Sequence, residues 1–309
     1  MTLHPVIAEI VARARAASGD RTPGIADARA QLDAGTAALG AGPAVRRVGD
    51  QEVSGRRGPI PCRVYEDGDD PAGTVVYVHG GGWAIGGPTA FDPFARALCR
   101  RSGARVLLVD YALAPEQPFP RGLEDVEDAL RWVAERYGAD GPLVVVGDSA
   151  GANLTAAATI GLAGEVTPAL QVLIYPVADC RFDRPSYLRY GEGLLLTRTA
   201  MEAFFRMYAP ADQWTDPRIS VLRHPDLARS PRTRVVTAEY DLLRDEGEEL
   251  AEALAAAGVE TTVHRYSGVH HGFLRLFELV DTADAALTDV SAAIHAATSP
   301  ARSGRSPGE

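Results

Sequence analysis

Short β-branched apolar runs alternate with amphipathic segments along most of the chain, and this alternation restricts the fold more than any other feature. The runs cover residues 74–79, 105–110, 143–148, 170–175, 234–239 and 261–266. Helical patterns separate most of them, at 91–101, 123–137, 151–163 and 245–257. Unbroken apolar strands are buried on both faces. Strand and helix in alternation build βαβ units, so a mostly parallel sheet with helices on both faces follows. Two weaker runs, near 45–53 and 60–66, are expected to join as an antiparallel edge pair, which brings the sheet to eight strands.

Two segments break the alternation. The stretch to about residue 42 carries Leu3, Val6, Ile7, Ile10 and Val11 at helical spacing. The segment 179–222, between two core strands, is rich in Tyr, Phe, Met and Trp. A long apolar insertion between sheet strands covers something, so both are expected to form a helical cap over the site. The expected organisation is therefore cap helices at 1–42, a catalytic domain at 43–298 with its cap insertion at 179–222, and a disordered Ser/Pro/Arg/Gly tail at 299–309.

Composition excludes whole chemistries. All 31 basic residues are arginine, so a Schiff-base lysine, a pyridoxal-phosphate lysine, a P-loop lysine and a Ser-x-x-Lys acylase are ruled out. The net charge of -10 argues against nucleic acid or an anionic membrane as partner. Cys62, Cys99 and Cys180 are odd in number and irregularly spaced, which fits neither a zinc site nor a disulfide framework. His4, Glu9, Arg13 and Arg15 interrupt the first apolar segment, unlike a signal peptide, and no apolar run is long enough to span a bilayer. A soluble cytoplasmic protein without metal or cofactor is expected, and a homodimer is compatible with these features.

Three segments carry chemistry. Gly147-Asp148-Ser149-Ala150-Gly151 fits G-x-S-x-G between a predicted strand and a predicted helix, the context of a strained nucleophile-bearing turn. His79-Gly80-Gly81-Gly82-Trp83 ends another strand, and its three glycines let backbone N–H groups approach a ligand closely, as an oxyanion hole requires. No lysine follows and the G-x-G-x-x-G spacing is missing, so a phosphate loop is set aside, and His79 reads as an anchor of the loop. A serine nucleophile needs a histidine base held by a carboxylate. His270 and His271 lie in the segment expected to follow the last strand, and spacing alone does not separate them. His264 and His295 sit within a strand and a helical pattern. Among Glu239, Asp241 and Asp245, position favours Asp241, in the loop between strand and helix.

These motifs, with residues 110–116 (Asp-Tyr-Ala-Leu-Ala-Pro-Glu) and 241–247 (Asp-Leu-Leu-Arg-Asp-Glu-Gly), make the sequence resemble the hormone-sensitive-lipase family of α/β-hydrolases. The likeness spans roughly 70–280 and implies an α/β-hydrolase fold with a helical cap. It implies Asp241 as the triad acid and selects His271, directly before Gly272-Phe273, as the base. It further implies Gly81, Gly82 and Ala150 as oxyanion donors. Ala112 stands where the family has arginine, Leu242 where proline is usual, and Ala152 where glycine is frequent. Without that proline the Asp241 loop is expected to be more mobile.

The expected activity is hydrolysis of a small-molecule carboxylic ester through an acyl-enzyme on Ser149, with short to medium acyl chains favoured. Trp83, Leu195, Phe204, Phe205 and Tyr208 are expected to help line an apolar substrate pocket. The same triad serves amides, carbamates, lactones and acylated natural products. A non-catalytic binding protein on this scaffold would lack the histidine that this chain retains.

Overall fold

The computed structural model describes residues 2–18 and 24–299. Apart from Ser299, the tail expected from residue 299 lies outside them. The chain forms α1 (Pro5–Ser18), α2 (Ile25–Leu39), β1 (Arg47–Gly55), β2 (Gly58–Glu66), β3 (Thr74–Val78), α3 (Pro88–Ser102), β4 (Arg105–Val109), α4 (Arg121–Tyr137) and β5 (Leu143–Asp148). It continues through α5 (Ala150–Gly161), β6 (Leu170–Ile174), α6 (Pro185–Tyr190), α7 (Arg198–Tyr208), β7 (Thr233–Tyr240), α8 (Arg244–Ala256), β8 (Thr261–His270) and α9 (Asp281–Thr298).

One eight-stranded sheet has the order β1-β2-β4-β3-β5-β6-β7-β8. β1 and β2 pair antiparallel as expected, β2 is also antiparallel to β4, and the remaining neighbours are parallel. Every residue of β3, β4, β5 and β6 is buried. This is why those strands read as unbroken apolar runs. β1 is largely exposed, as an edge strand is. Helices cover both faces. On α4, Leu123, Val126, Leu130 and Val133 recur at helical spacing and face the sheet. Each such side chain contributes roughly 1.5–3 kcal/mol when fully buried.

The order of connection decides where a ligand can bind. From β3 the chain steps outward to β4, then crosses back to β5 on the other side of β3. Loops leaving β3 and β5 therefore diverge, and a crevice opens between them at the carboxyl ends of the strands. Val78 lies in register with Gly147, so the two ends are flush. The glycine loop and the Ser149 turn emerge side by side.

One boundary differs from the sequence reading. Residues 267–270, expected in a loop, complete β8. Ala238 pairs with Tyr266 and Tyr240 with His270, so β8 carries extra residues in an irregular stretch of ladder. Gly268 adopts φ +76° there, and its N–H donates to Glu239 Oε2 at 2.9 Å. A bulge breaks strict alternation, which is why pattern alone ended the strand early.

The two segments that interrupt the alternation are helical. α2 is tied to the glycine loop by Arg29, whose Nε donates to the Ala84 carbonyl at 2.9 Å and whose Nη2 meets the Glu116 carboxylate at 2.7 Å. α6 and α7 lie between β6 and β7 in the chain. No described helix is long and apolar enough to cross a membrane.

Candidate active site

Ser149 sits between the end of β5 and the start of α5 with φ +55° and ψ −119°. A side chain in this region costs of order 1–3 kcal/mol and persists only where the surroundings hold it. Here the Ser149 N–H donates to the Ile174 carbonyl of β6 at 2.8 Å, and the Ser149 carbonyl accepts from Asn153 N–H in the first turn of α5. The helix packs close because Gly151 has no side chain: a Cβ there would lie 2.1 Å from the Val78 carbonyl oxygen.

Three side chains from distant segments meet at this turn. The Ser149 hydroxyl lies 3.0 Å from His271 Nε2, and His271 Nδ1 lies 2.8 Å from Asp241 Oδ2. The second Asp241 oxygen accepts the Leu243 N–H at 2.9 Å. With the carboxylate on Nδ1, that nitrogen carries the proton and Nε2 is left to accept from serine. Asp241 is buried, whereas the His271 side chain keeps some exposure toward the cavity. Tyr175, itself at φ +38°, places its ring 4.7 Å from the imidazole. The Leu242 carbonyl accepts from Ser186 Oγ at 2.6 Å, so a side chain of α6 restrains the backbone beside Asp241 where a proline would otherwise do so.

The other candidates from the sequence are engaged elsewhere. His270 is buried at the end of β8, its Nδ1–H donating to the His271 carbonyl. His264 stacks on Tyr266 at 4.1 Å, and His295 Nδ1 reaches the Ser102 carbonyl. Glu239 accepts from Gly268, and Asp245 accepts the Ser186 N–H at 2.7 Å.

Beside Ser149, the N–H groups of Gly81, Gly82 and Ala150 have no backbone acceptor among the described residues. Gly82 adopts φ +57°, and a Cβ there would strike the Phe204 ring at 2.3 Å, so only glycine keeps both the turn and the ring in place. His79 lies beneath the loop, fully buried between the rings of Phe91 and Tyr111. Its Nδ1–H donates to the Gly80 carbonyl at 2.8 Å, and burial lowers its pKa to about 4, so the ring is neutral near pH 7.

Sequence reasoning passed over Asp148. Its Oδ1 accepts from the Tyr77 hydroxyl at 2.9 Å and from the Gly80 N–H at 2.8 Å, linking the serine turn to the glycine loop. Burial pushes its carboxyl up from the ordinary value, against these hydrogen bonds and nearby positive charge. The available signal was an acid closing an otherwise apolar, doubly buried strand.

A cavity of about 300 Å³ opens over Ser149 and His271. Leu32 of α2, Ile85, Leu195, Leu196, Met201 and Phe204 supply most of its apolar wall. Of the residues expected to line a substrate pocket, Leu195 and Phe204 line this cavity, whereas Trp83, Phe205 and Tyr208 do not. Trp83 stacks on Tyr208 at 4.4 Å, meets Phe205 edge-on at 5.1 Å, and all three are buried in the packing behind the wall. Helical spacing on α7 admits both faces, and three-dimensional packing decides which faces the cavity. Arg275, not singled out from the sequence, also lines the cavity.

The sheet topology, the strained serine between strand and helix, and the hydrogen-bonded Ser-His-Asp set define an α/β-hydrolase site. Residues 75–275 match the model of an α/β-hydrolase-fold family, and the chain belongs to that family, in the hormone-sensitive-lipase-like branch that its motifs resemble. The chain is similar to ethyl acetate hydrolase of Pseudomonas putida, with 38% identity over 80% of this chain and 82% of the relative. It is also similar to the carboxylic ester hydrolase LipN of Mycobacterium tuberculosis, with 36% identity over 81% and 70% of the two chains. Among solved structures, a hyperthermophilic esterase from the archaeon Pyrobaculum calidifontis superposes with a TM-score of 0.91 at 36% identity, covering 96% of this chain and 99% of that one.

Proposed function

We propose that this chain is a carboxylic ester hydrolase acting by acyl transfer on Ser149, with His271 as base and Asp241 as its orienting acid. The observation that carries the reading is the hydrogen-bonded run Ser149–His271–Asp241 facing an apolar cavity. The esterase relatives supply the bond class.

In the first step the Ser149 oxygen attacks the ester carbonyl as its proton passes to His271 Nε2, and Asp241 stabilises the imidazolium. The tetrahedral oxyanion is met by the N–H groups of Gly81, Gly82 and Ala150, all held before substrate arrives. Collapse expels the alcohol, which takes the proton back from His271. Water, deprotonated by the same imidazole, then releases the acid. The cavity volume favours short to medium acyl arms.

Initial rates on p-nitrophenyl acetate, butyrate and octanoate test the reading. Ser149→Ala is expected to lose roughly 10⁴-fold or more in kcat. Equal turnover by wild type and Ser149→Ala would overturn it.

A further inference from the structure

We propose that Arg275 is a specificity-determining residue that pairs with a carboxylate on the substrate, so that the preferred esters carry an anionic group on one arm. The inference rests on the ester-hydrolase reading above and deepens it.

Arg275 lies on the short turn Phe273–Leu276, four residues beyond His271, and lines the same cavity as Ser149, Gly81 and Gly82. One nitrogen of its guanidinium is fixed. Nη2 donates to Thr36 Oγ1 of α2 and to the Ala90 carbonyl of α3 at 3.1 Å. The guanidinium carbon sits 4.7 Å from the centre of the Phe91 ring, another cavity residue. These contacts hold the planar fork in one orientation.

The charge makes no contact ion pair. Among the described residues no carboxylate comes within 4 Å of Arg275, and its Nε and Nη1 have no hydrogen-bond acceptor. Two other enclosed arginines are paired with carboxylates. Arg184 meets Asp179 at 2.9 Å and Glu249 at 2.8 Å, and Arg105 meets Glu66 at 2.8 Å. The Arg275 charge also reaches the reacting end of the cavity. Burial raises the Asp148 carboxyl, and Arg275 is among the groups that hold it down, so the guanidinium acts on the residue next to Ser149.

A half-buried guanidinium in a mainly apolar wall gives up hydration that neutral partners only partly replace. Because both bidentate edges of a guanidinium include Nη2, which is already engaged, a substrate carboxylate would take one of the unused donors in a single charge-assisted hydrogen bond. A wholly neutral ester would bury them unpaired. The ligand class is therefore an ester with a free carboxylate, placed either on the acyl arm, as in a dicarboxylic half-ester, or on the alcohol arm, as in an O-acylated hydroxy acid. The chemistry is unchanged. Ser149 forms the acyl bond, the ester C–O bond breaks, and water releases a dicarboxylate and an alcohol in the first case, or a carboxylate and a hydroxy acid in the second.

Two matched pairs test this with wild type, Arg275→Met and Arg275→Lys. The acyl-arm pair is mono-p-nitrophenyl glutarate and p-nitrophenyl valerate. The alcohol-arm pair is O-acetylglycolate and ethyl acetate, followed by proton release. The measured quantity is the ratio of kcat/KM for the anionic ester to that for its neutral match, because comparing one ratio between variants cancels intrinsic ester reactivity. Arg275→Met is expected to lower that ratio on the order of 10–100-fold in one pair, identifying the arm, with Arg275→Lys between it and wild type. An unchanged ratio in both pairs would overturn the proposal while leaving ester hydrolysis intact. Failure of wild type on all four esters would instead remove the reading on which it rests.

Discussion

The Asp148 carboxylate accepts the Gly80 N–H at 2.8 Å, and through this one bond the residue before Ser149 holds the loop that supplies two of the proposed oxyanion donors. The two segments leave neighbouring strands at the switch point of the sheet, and nothing in the ladder beyond Val78 and Gly147 fixes their separation. The same oxygen also accepts the Tyr77 hydroxyl. Asp148→Ala would strand two buried donors and free the loop, so kcat on p-nitrophenyl butyrate is expected to fall about 10²-fold. Asp148→Asn keeps an acceptor oxygen and should stay within roughly tenfold of wild type, given that neutral hydrogen bonds are weaker than charged ones. Steady-state kinetics beside a thermal melt separates this loss from simple destabilisation.

His270 and His271 are adjacent, yet only His271 reaches serine. His270 pairs with Tyr240 in the β8 ladder and is buried, and burial lowers its pKa from the ordinary value. His271→Ala is expected to abolish turnover, to about the level of Ser149→Ala. His270→Ala removes a neutral, enclosed ring and should leave kcat within roughly tenfold while lowering the melting temperature. The reverse ranking of the two variants in an ester assay would reassign the base.

How far the sequence reached depended on how local each cause was. The Ser149 turn was legible because strand, small residues and helix are contiguous, and its geometry follows from five neighbouring positions. The central strands were legible because burial on both faces leaves a continuous apolar record. The pairing of Asp241 with His271 depends on two strand ends separated by a whole helix, so spacing left the histidine open until the family likeness selected one. Arg275 and Asp148 were passed over for the same reason. Their partners, Thr36, Ala90, Tyr77 and Gly80, lie far away in sequence. Helical spacing does not separate the aromatic residues of α7, yet the helix turns Phe204 toward the cavity and packs Phe205 and Tyr208 against Trp83.

That division of α7 predicts separable effects. Phe204 forms part of the cavity wall beside Gly82, so Phe204→Ala enlarges the space for the substrate. The optimum acyl chain on a p-nitrophenyl ester series should lengthen by about two to four methylenes, each worth roughly 0.8 kcal/mol when buried. Tyr208→Ala instead opens the packing behind the wall. It is expected to cost roughly 3–5 kcal/mol of stability, as large aromatic truncations in cores do, with the chain-length profile unmoved. A chain-length shift in Tyr208→Ala and none in Phe204→Ala would reverse the roles of the two faces.

Glu246 makes stability depend on pH through a group outside the chemistry. It is fully buried on α8, where Oε1 accepts the Ala178 N–H at 2.8 Å and Oε2 lies 3.9 Å from Arg184. Burial is the main cause that raises its pKa to about 8, against the opposing pull of Ala178 N–H and Arg184. The folded state therefore keeps the Glu246 proton over a range in which the unfolded chain, with an ordinary carboxyl near 4.3, has released it. In that window the native state binds more protons than the unfolded state, so this contribution is complete below about pH 4 and is lost as pH rises to about 8. Glu246→Gln supplies an uncharged isostere and removes the titration. Its melting temperature, taken relative to wild type across pH 5–9, is expected to rise steadily up to about pH 8 and then level off. A constant difference between variant and wild type over that range would mean that Glu246 is ionised in the folded protein, with Arg184 as its counter-charge.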